Sequence, residues 1–214
     1  MKITIQILIS LFIIVACNAP TINEQRTESS RRIQIRLVDS LGLLTLSVPA
    51  RYDTVFSWVN HSDCGKPCDE QEYRCQPKAL AITKESGFFW RGEPKDSVDR
   101  FTVSHPSDIW YHVEDTAMDS LRHKYLKLQI VNNSDNPVVV YDTIEKIGDR
   151  YFSIFVTQKS DTIHNIQVLA VTTVKGNEIK FRYDLSSKKS DQVEKGFIKN
   201  SLVLIRTIRI SKSM

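Results

Sequence analysis

The sequence predicts an α+β domain: a predominantly antiparallel sheet with helices packed on it. Two β-rich runs, Gln167–Val174 and Glu178–Tyr183, flank Lys175-Gly176-Asn177 and read as a hairpin. Its second arm sets Ile179, Phe181 and Tyr183 against Lys180 and Arg182, giving one buried and one wet face. Directly afterwards, Asp191 and Glu194 form a capping-box pattern ahead of an apolar stripe, so a helix follows the hairpin.

In chain order, Ile33–Val38 alternates apolar and polar residues as a half-buried strand does, and Leu43–Val48 is a second strand ended by Pro49. Arg51–Asn60 mixes both periodicities and stays unassigned between helix and strand. Ala79–Thr83, Phe88–Arg91 and Asp99–Ser104 are strand-like. Asp115 to about Tyr125 is helical in pattern, with Ala117, Leu121, Tyr125 and Leu128 on one face. The run Leu126, Leu128, Ile130 alternates as a strand would. Asn132–Pro137 is a loop. Val138–Ile144 and Tyr151–Gln158 are strands joined through Gly148-Asp149. Phe197, Leu202, Ile205 and Ile208 supply the stripe of the last helix, which Gly196 weakens by about 1 kcal/mol relative to Ala. Thr207–Ser211 leaves it as a short strand.

Three cysteines fall in one stretch, His61-Ser-Asp-Cys64-Gly-Lys-Pro-Cys68 through Cys75. In an oxidising compartment one disulfide plus one leftover thiol is the default, with Cys64–Cys75 or Cys68–Cys75 as the bridge. A loop of about ten residues closed this way is worth roughly 2–3 kcal/mol. Three other chemistries use the same residues. His61, Cys64, Cys68 and Cys75 are four zinc-type ligands, although structural zinc sites usually come as two spaced pairs. One cysteine is a candidate nucleophile, with His61 or a distant His as base. The thiols could also be inert. No cofactor is expected unless zinc sits at that cluster.

His105, Asp108 and His112 lie within eight residues, but their spacing matches no metal or acid/base motif. Phe88-Phe89-Trp90 and Trp110-Tyr111 suit either the core or a concave site. No phosphate-cradling Gly-rich loop, Gly-x-Ser-x-Gly elbow or His-Glu-x-x-His helix is present. The net charge of +4 is too small to imply nucleic acid as a partner. The charge is uneven, however: residues 93–120 hold two basic and seven acidic side chains, residues 175–214 ten and four. A solvated face explains that asymmetry as well as steering of a partner does.

The chain starts with Met1-Lys2 and a 14-residue apolar run, Ile3–Ala16. The run has the layout of a secretory signal and is short of the ~20 residues that cross a bilayer. Ile14-Val15-Ala16-Cys17 resembles the lipobox of bacterial lipoproteins. That resemblance implies cleavage before Cys17, a thioether-linked diacylglycerol on its sulfur, and a place in the cell envelope facing the periplasm or the cell surface. Residues 1–16 are then a signal, residues 17–32 a polar tether, and residues 33–214 a single domain.

The stretch Tyr151–Gln158, Gln167–Tyr183 and Asp191–Ile210 resembles the C-terminal half of PsbP-like domains, in which helices sandwich an antiparallel sheet. The whole also resembles uncharacterised lipoproteins of Bacteroidota-type bacteria. PsbP-like domains are mostly accessory or binding modules, so the resemblance implies an envelope module that binds a ligand or protein partner, with no site residues carried over. The alternative is a membrane-tethered hydrolase or metal-dependent protein using His61, Cys64, Cys68 and Cys75.

Overall fold

Ser29 accepts a hydrogen bond from the amide of Ala50 at 2.8 Å, and from there the chain runs into an antiparallel ladder. The computed structural model describes residues 29–38, 41–82, 98–108, 118–132, 137–160, 163–187 and 191–211, with backbone only for residues 67, 160, 187 and 191–195. Strand β1 (Ser30–Arg36) pairs with β2 (Leu43–Pro49), and β2 pairs on its other side with β10 (Arg209–Ser211). β1 starts at Ser30, so residues 30–32, assigned to the tether from sequence, belong to this small sheet.

The larger sheet has the order β3-β4-β5-β9-β8-β7-β6, with every neighbour antiparallel. Its strands are β3 (Thr54–Asn60), β4 (Glu70–Gln76), β5 (Val98–Pro106), β6 (Val138–Ile147), β7 (Arg150–Ser160), β8 (His164–Val174) and β9 (Asn177–Ser187). The β8–β9 hairpin turns where expected. Lys175 (φ 50) and Gly176 (φ 75) are both left-handed, which matches the twist of the arms as a two-residue primed turn does. The ambiguous Arg51–Asn60 stretch resolves into a turn followed by β3. Ala79–Ile82, by contrast, is not a strand. Leu80 closes a turn onto the carbonyl of Pro77, and the Gln76 amide occupies the carbonyls of Leu80 and Ala81. Thr83 and Phe88–Arg91 lie outside the described residues.

Helix α2 (Asp191–Ile205) and the small sheet cover one face of the large sheet. Phe101, Phe152 and Phe181 meet Leu44, Leu46 and Val48 there, together with Phe197, Leu204 and Ile205 of α2. Each such side chain contributes about 1.5–3 kcal/mol on leaving water. Helix α1 (Ser120–Val131) packs on the opposite face, over Phe155 and Val171. Asp119 caps it by accepting from the Arg122 amide at 2.8 Å. The ambiguous tail is helical to Val131. The buried face is not the expected one: Leu121, Tyr125 and Leu128 are exposed, while Leu126 and Ile130 pack inward. Polar anchors fix this rotation. Arg122 binds Glu178 at 3.0 Å, while His123 and Lys127 both reach Asp142.

Candidate functional site

The Cys segment is the connection between β3 and β4, and Asp69 organises it. Its carboxylate accepts from the Ser62 amide at 2.8 Å and from the His61 ring at 2.8 Å, and its carbonyl takes the Ser107 amide. The Ser62 amide, then His61, hold the Asp69 carboxyl below its usual range. Gly65 (φ 83) opens a 3-10 turn over Lys66–Cys68, which brings the Cys64 and Cys68 Cα atoms to 5.9 Å in a disulfide.

One bridge and one free thiol are thus present, but the partners differ from the expected ones. Cys75 lies on β4 between Val55 and Phe101, fully buried in the core, and burial pushes its thiol up to about 12. A strand position facing the core cannot reach a loop cysteine. The same placement argues against Cys75 as a nucleophile, since a buried neutral thiol is a poor one. The four candidate ligands are not gathered: among the described residues no group of three or more His, Cys, Asp or Glu is arranged to hold a metal ion. His105 is buried on β5 with its ring Nδ1–H on the Pro106 carbonyl at 2.8 Å. His112, Trp110-Tyr111, Phe88-Phe89-Trp90, Ala117 and Cys17 lie outside the described residues.

Among the described residues, a concave feature sits at the other end of the large sheet. Val98 pairs with Ser186 and Asp99 with Leu185, whereas Pro106 at the far end of β5 pairs with Glu70 beside the disulfide loop. Asp99 and Pro106 are seven residue steps apart along β5, about 24 Å. Between α2 and the strand ends lies a groove of about 330 Å³, within the size range of small-molecule sites. Phe197, Leu204, Leu185 and Pro49 give it an apolar floor. Gly196, Phe197, Asn200, Ser201 and Leu204 are spaced along one helical face, so a single side of α2 forms the wall.

Its lip is polar and internally matched. Pro49 ends β2, and the following turn presents Arg51 and Tyr52 towards Asp99. The Arg51 guanidinium forks onto the Asp99 carboxylate at 2.8 and 3.0 Å, and the Tyr52 hydroxyl donates to it at 2.6 Å. The Tyr52 carbonyl in turn accepts from the Arg31 guanidinium, at 3.0 Å from Nε. Burial, and then the Asp99 charge, push the Tyr52 phenol well above its ordinary value; burial does the same to Tyr183. Both phenols therefore stay neutral, and the groove presents an apolar, uncharged interior behind an ion-paired lip.

Sequence reading missed this site. Arg51 and Tyr52 sit in the one stretch that could not be assigned, and Asp99 carries no motif. The usable signal was Gly196, a glycine inside a helix. A Cβ added there would meet nothing within 4 Å, so packing does not require the glycine. What it does is leave the groove wall bare.

A scan against protein-family models and a search among curated proteins find no match for the chain.

Proposed function

We propose that the chain is a membrane-anchored envelope lipoprotein whose domain is a binding module, with the groove beneath α2 as its ligand site. The observation that carries this reading is the apolar groove of about 330 Å³, closed at its lip by Arg51, Asp99 and Tyr52. The lipobox-like Ile14-Val15-Ala16-Cys17 supports the anchor, since two or more acyl chains hold a protein on a bilayer where one is marginal. The antiparallel sheet with a helix on each face supports the PsbP-like resemblance, and with it an accessory role towards a ligand or an envelope protein partner.

Two experiments test the reading. Cys17→Ser in the full chain releases the protein from membranes; a variant that is processed and still bound contradicts the anchor. An anionic naphthalene-sulfonate dye that brightens in apolar surroundings binds the wild type saturably. Gly196→Leu, whose side chain enters space that is empty in the wild type, weakens it about tenfold. Equal dye affinity in the two proteins contradicts the groove as the site.

A further inference from the structure

The Cys64–Cys68 bridge sits in the connection between β3 and β4, and both of its cysteines are exposed to solvent. The loop that carries them is held by hydrogen bonds that do not involve the bridge. The buried Asp69 carboxylate takes the Ser62 amide and the His61 ring, the Asp69 amide donates to the Lys66 carbonyl, and the Asp69 carbonyl takes the Ser107 amide. Gly65 and Cys68 close further turns onto the carbonyls of Ser62 and Gly65. The β3–β4 ladder reaches the loop at the Asn60–Glu70 pair. Every one of these contacts survives when the sulfur–sulfur bond is opened. The two thiols then stay on a backbone that keeps their Cα atoms near 5.9 Å, and reclosure is an intramolecular step of high effective concentration.

Two further observations favour reversible chemistry at this pair. Cys75 is buried in the core, so the folded protein offers Cys64 and Cys68 no third thiol to mispair with. The two sulfurs also differ. Among the described residues, the hydroxyl that donates to either of them is that of Ser62, to Cys64 Sγ at 3.6 Å. Sulfur in a disulfide is a weak acceptor, whereas a thiolate is a charged one, so this contact strengthens as charge develops on Cys64. A sulfur stabilised in that way is the better leaving group.

We propose that Cys64–Cys68 is a thiol–disulfide exchange site that oxidises an external dithiol. A thiolate of that dithiol attacks Cys68 Sγ. The bond between Cys68 and the dithiol forms, the Cys64–Cys68 bond breaks, and its electron pair leaves on Cys64, where the Ser62 hydroxyl holds the charge. The second thiolate of the dithiol then attacks its own partner sulfur in the mixed disulfide and expels Cys68. The dithiol ends as a disulfide and the chain gains two electrons. The two protons that the dithiol gives up to solvent are regained by the freed thiolates of Cys64 and Cys68. This chemistry is independent of the groove beneath α2.

The test uses the full chain with dithiothreitol as the dithiol. Dithiothreitol opens the bridge in the folded protein, amide chemical shifts change only around residues 61–69, and iodoacetamide then marks Cys64 and Cys68 but not Cys75. Oxidised glutathione restores the bridge. A brief reaction with reduced glutathione, stopped with iodoacetamide and read by peptide mass, places glutathione on Cys68 and the alkyl group on Cys64. Ser62→Ala keeps the backbone amide on Asp69 and slows reduction about fivefold. A bridge that dithiothreitol opens only once the protein is unfolded, or whose opening unfolds the domain, overturns the proposal. Glutathione found on Cys64, or a Ser62→Ala rate equal to that of the wild type, overturns the assignment of Cys64 as the leaving sulfur.

Discussion

The Tyr52 hydroxyl donates to Asp99 Oδ1 at 2.6 Å, joining the turn after β2 to the first residues of β5 across 47 positions of sequence. Tyr52 is fully buried, whereas Arg51 on the same carboxylate is 36% exposed. The two contacts therefore differ in weight. Asp99→Ala strands a buried hydroxyl and should cost about 2–3 kcal/mol of stability, with Tyr52→Phe at about 1–2. Arg51→Ala should cost no more than about 1 kcal/mol. Chemical denaturation of the three variants gives the order, and an Arg51 effect above that of Asp99 would contradict it.

Alkaline pH should act through the buried phenols. Tyr52 and Tyr183 keep their protons in the folded protein at pH values where the unfolded chain, with ordinary tyrosines, loses them. The folded state then binds more protons, so stability is intact below about pH 10 and falls above it. Spectrophotometric titration should show these two phenolates only as the protein unfolds.

Acid acts in the opposite sense. Burial raises the Asp184 carboxyl, but Arg182, Arg100 and Gln167 outweigh it, and the net shift is downward. Asp69 and Asp142 are also held low, the latter by Lys127 and then His123. Their contribution is present above the ordinary carboxylate value and is lost as pH falls through the depressed ones. Stability should decline below about pH 4. In Asp184→Asn the decline should be shallower.

Helix α1 separates its two faces. Leu126→Ala removes a side chain packed with Phe155 and Val171 and should cost about 2–4 kcal/mol. Leu121→Ala, at a position 75% exposed, should change stability by less than about 0.5 kcal/mol. Equal costs would mean that the helix is rotated from the orientation described.

Thiol counting in the absence of reductant should give no reactive thiol in the native protein. In denaturant it should give one, Cys75, provided that Cys17 carries lipid. Two would contradict the anchor. Replacing Cys64 and Cys68 by Ser should cost about 2 kcal/mol at most, since the closed loop spans only five residues.

Much of the sheet was legible because its strands obey the period of two. The β8–β9 hairpin, β1, β2, β6 and β7 all lie where alternation and turn residues put them. β4 was not legible. Glu70–Gln76 has only Tyr73 and Cys75 as apolar residues, too few to show alternation, so nothing local separates Cys75 from the loop cysteines. The α1 face departs from its pattern for a related reason. Leu121, Tyr125 and Leu128 make an apolar stripe, but His123 and Lys127 reaching Asp142 on β6 set the rotation, and a tertiary contact of that kind has no local signature. The groove draws on four separate segments, from Pro49 to Leu204, which only the folded chain brings together.

Whether a ligand enters the groove beneath α2 is tested most directly by amide chemical-shift mapping with the naphthalene-sulfonate dye. The largest shifts should fall at Arg51, Tyr52, Asp99, Tyr183, Leu185 and residues 196–204. Shifts spread evenly over the domain, or centred on the exposed Leu121, Tyr125, Val138 and Tyr141 of α1 and β6, would contradict it.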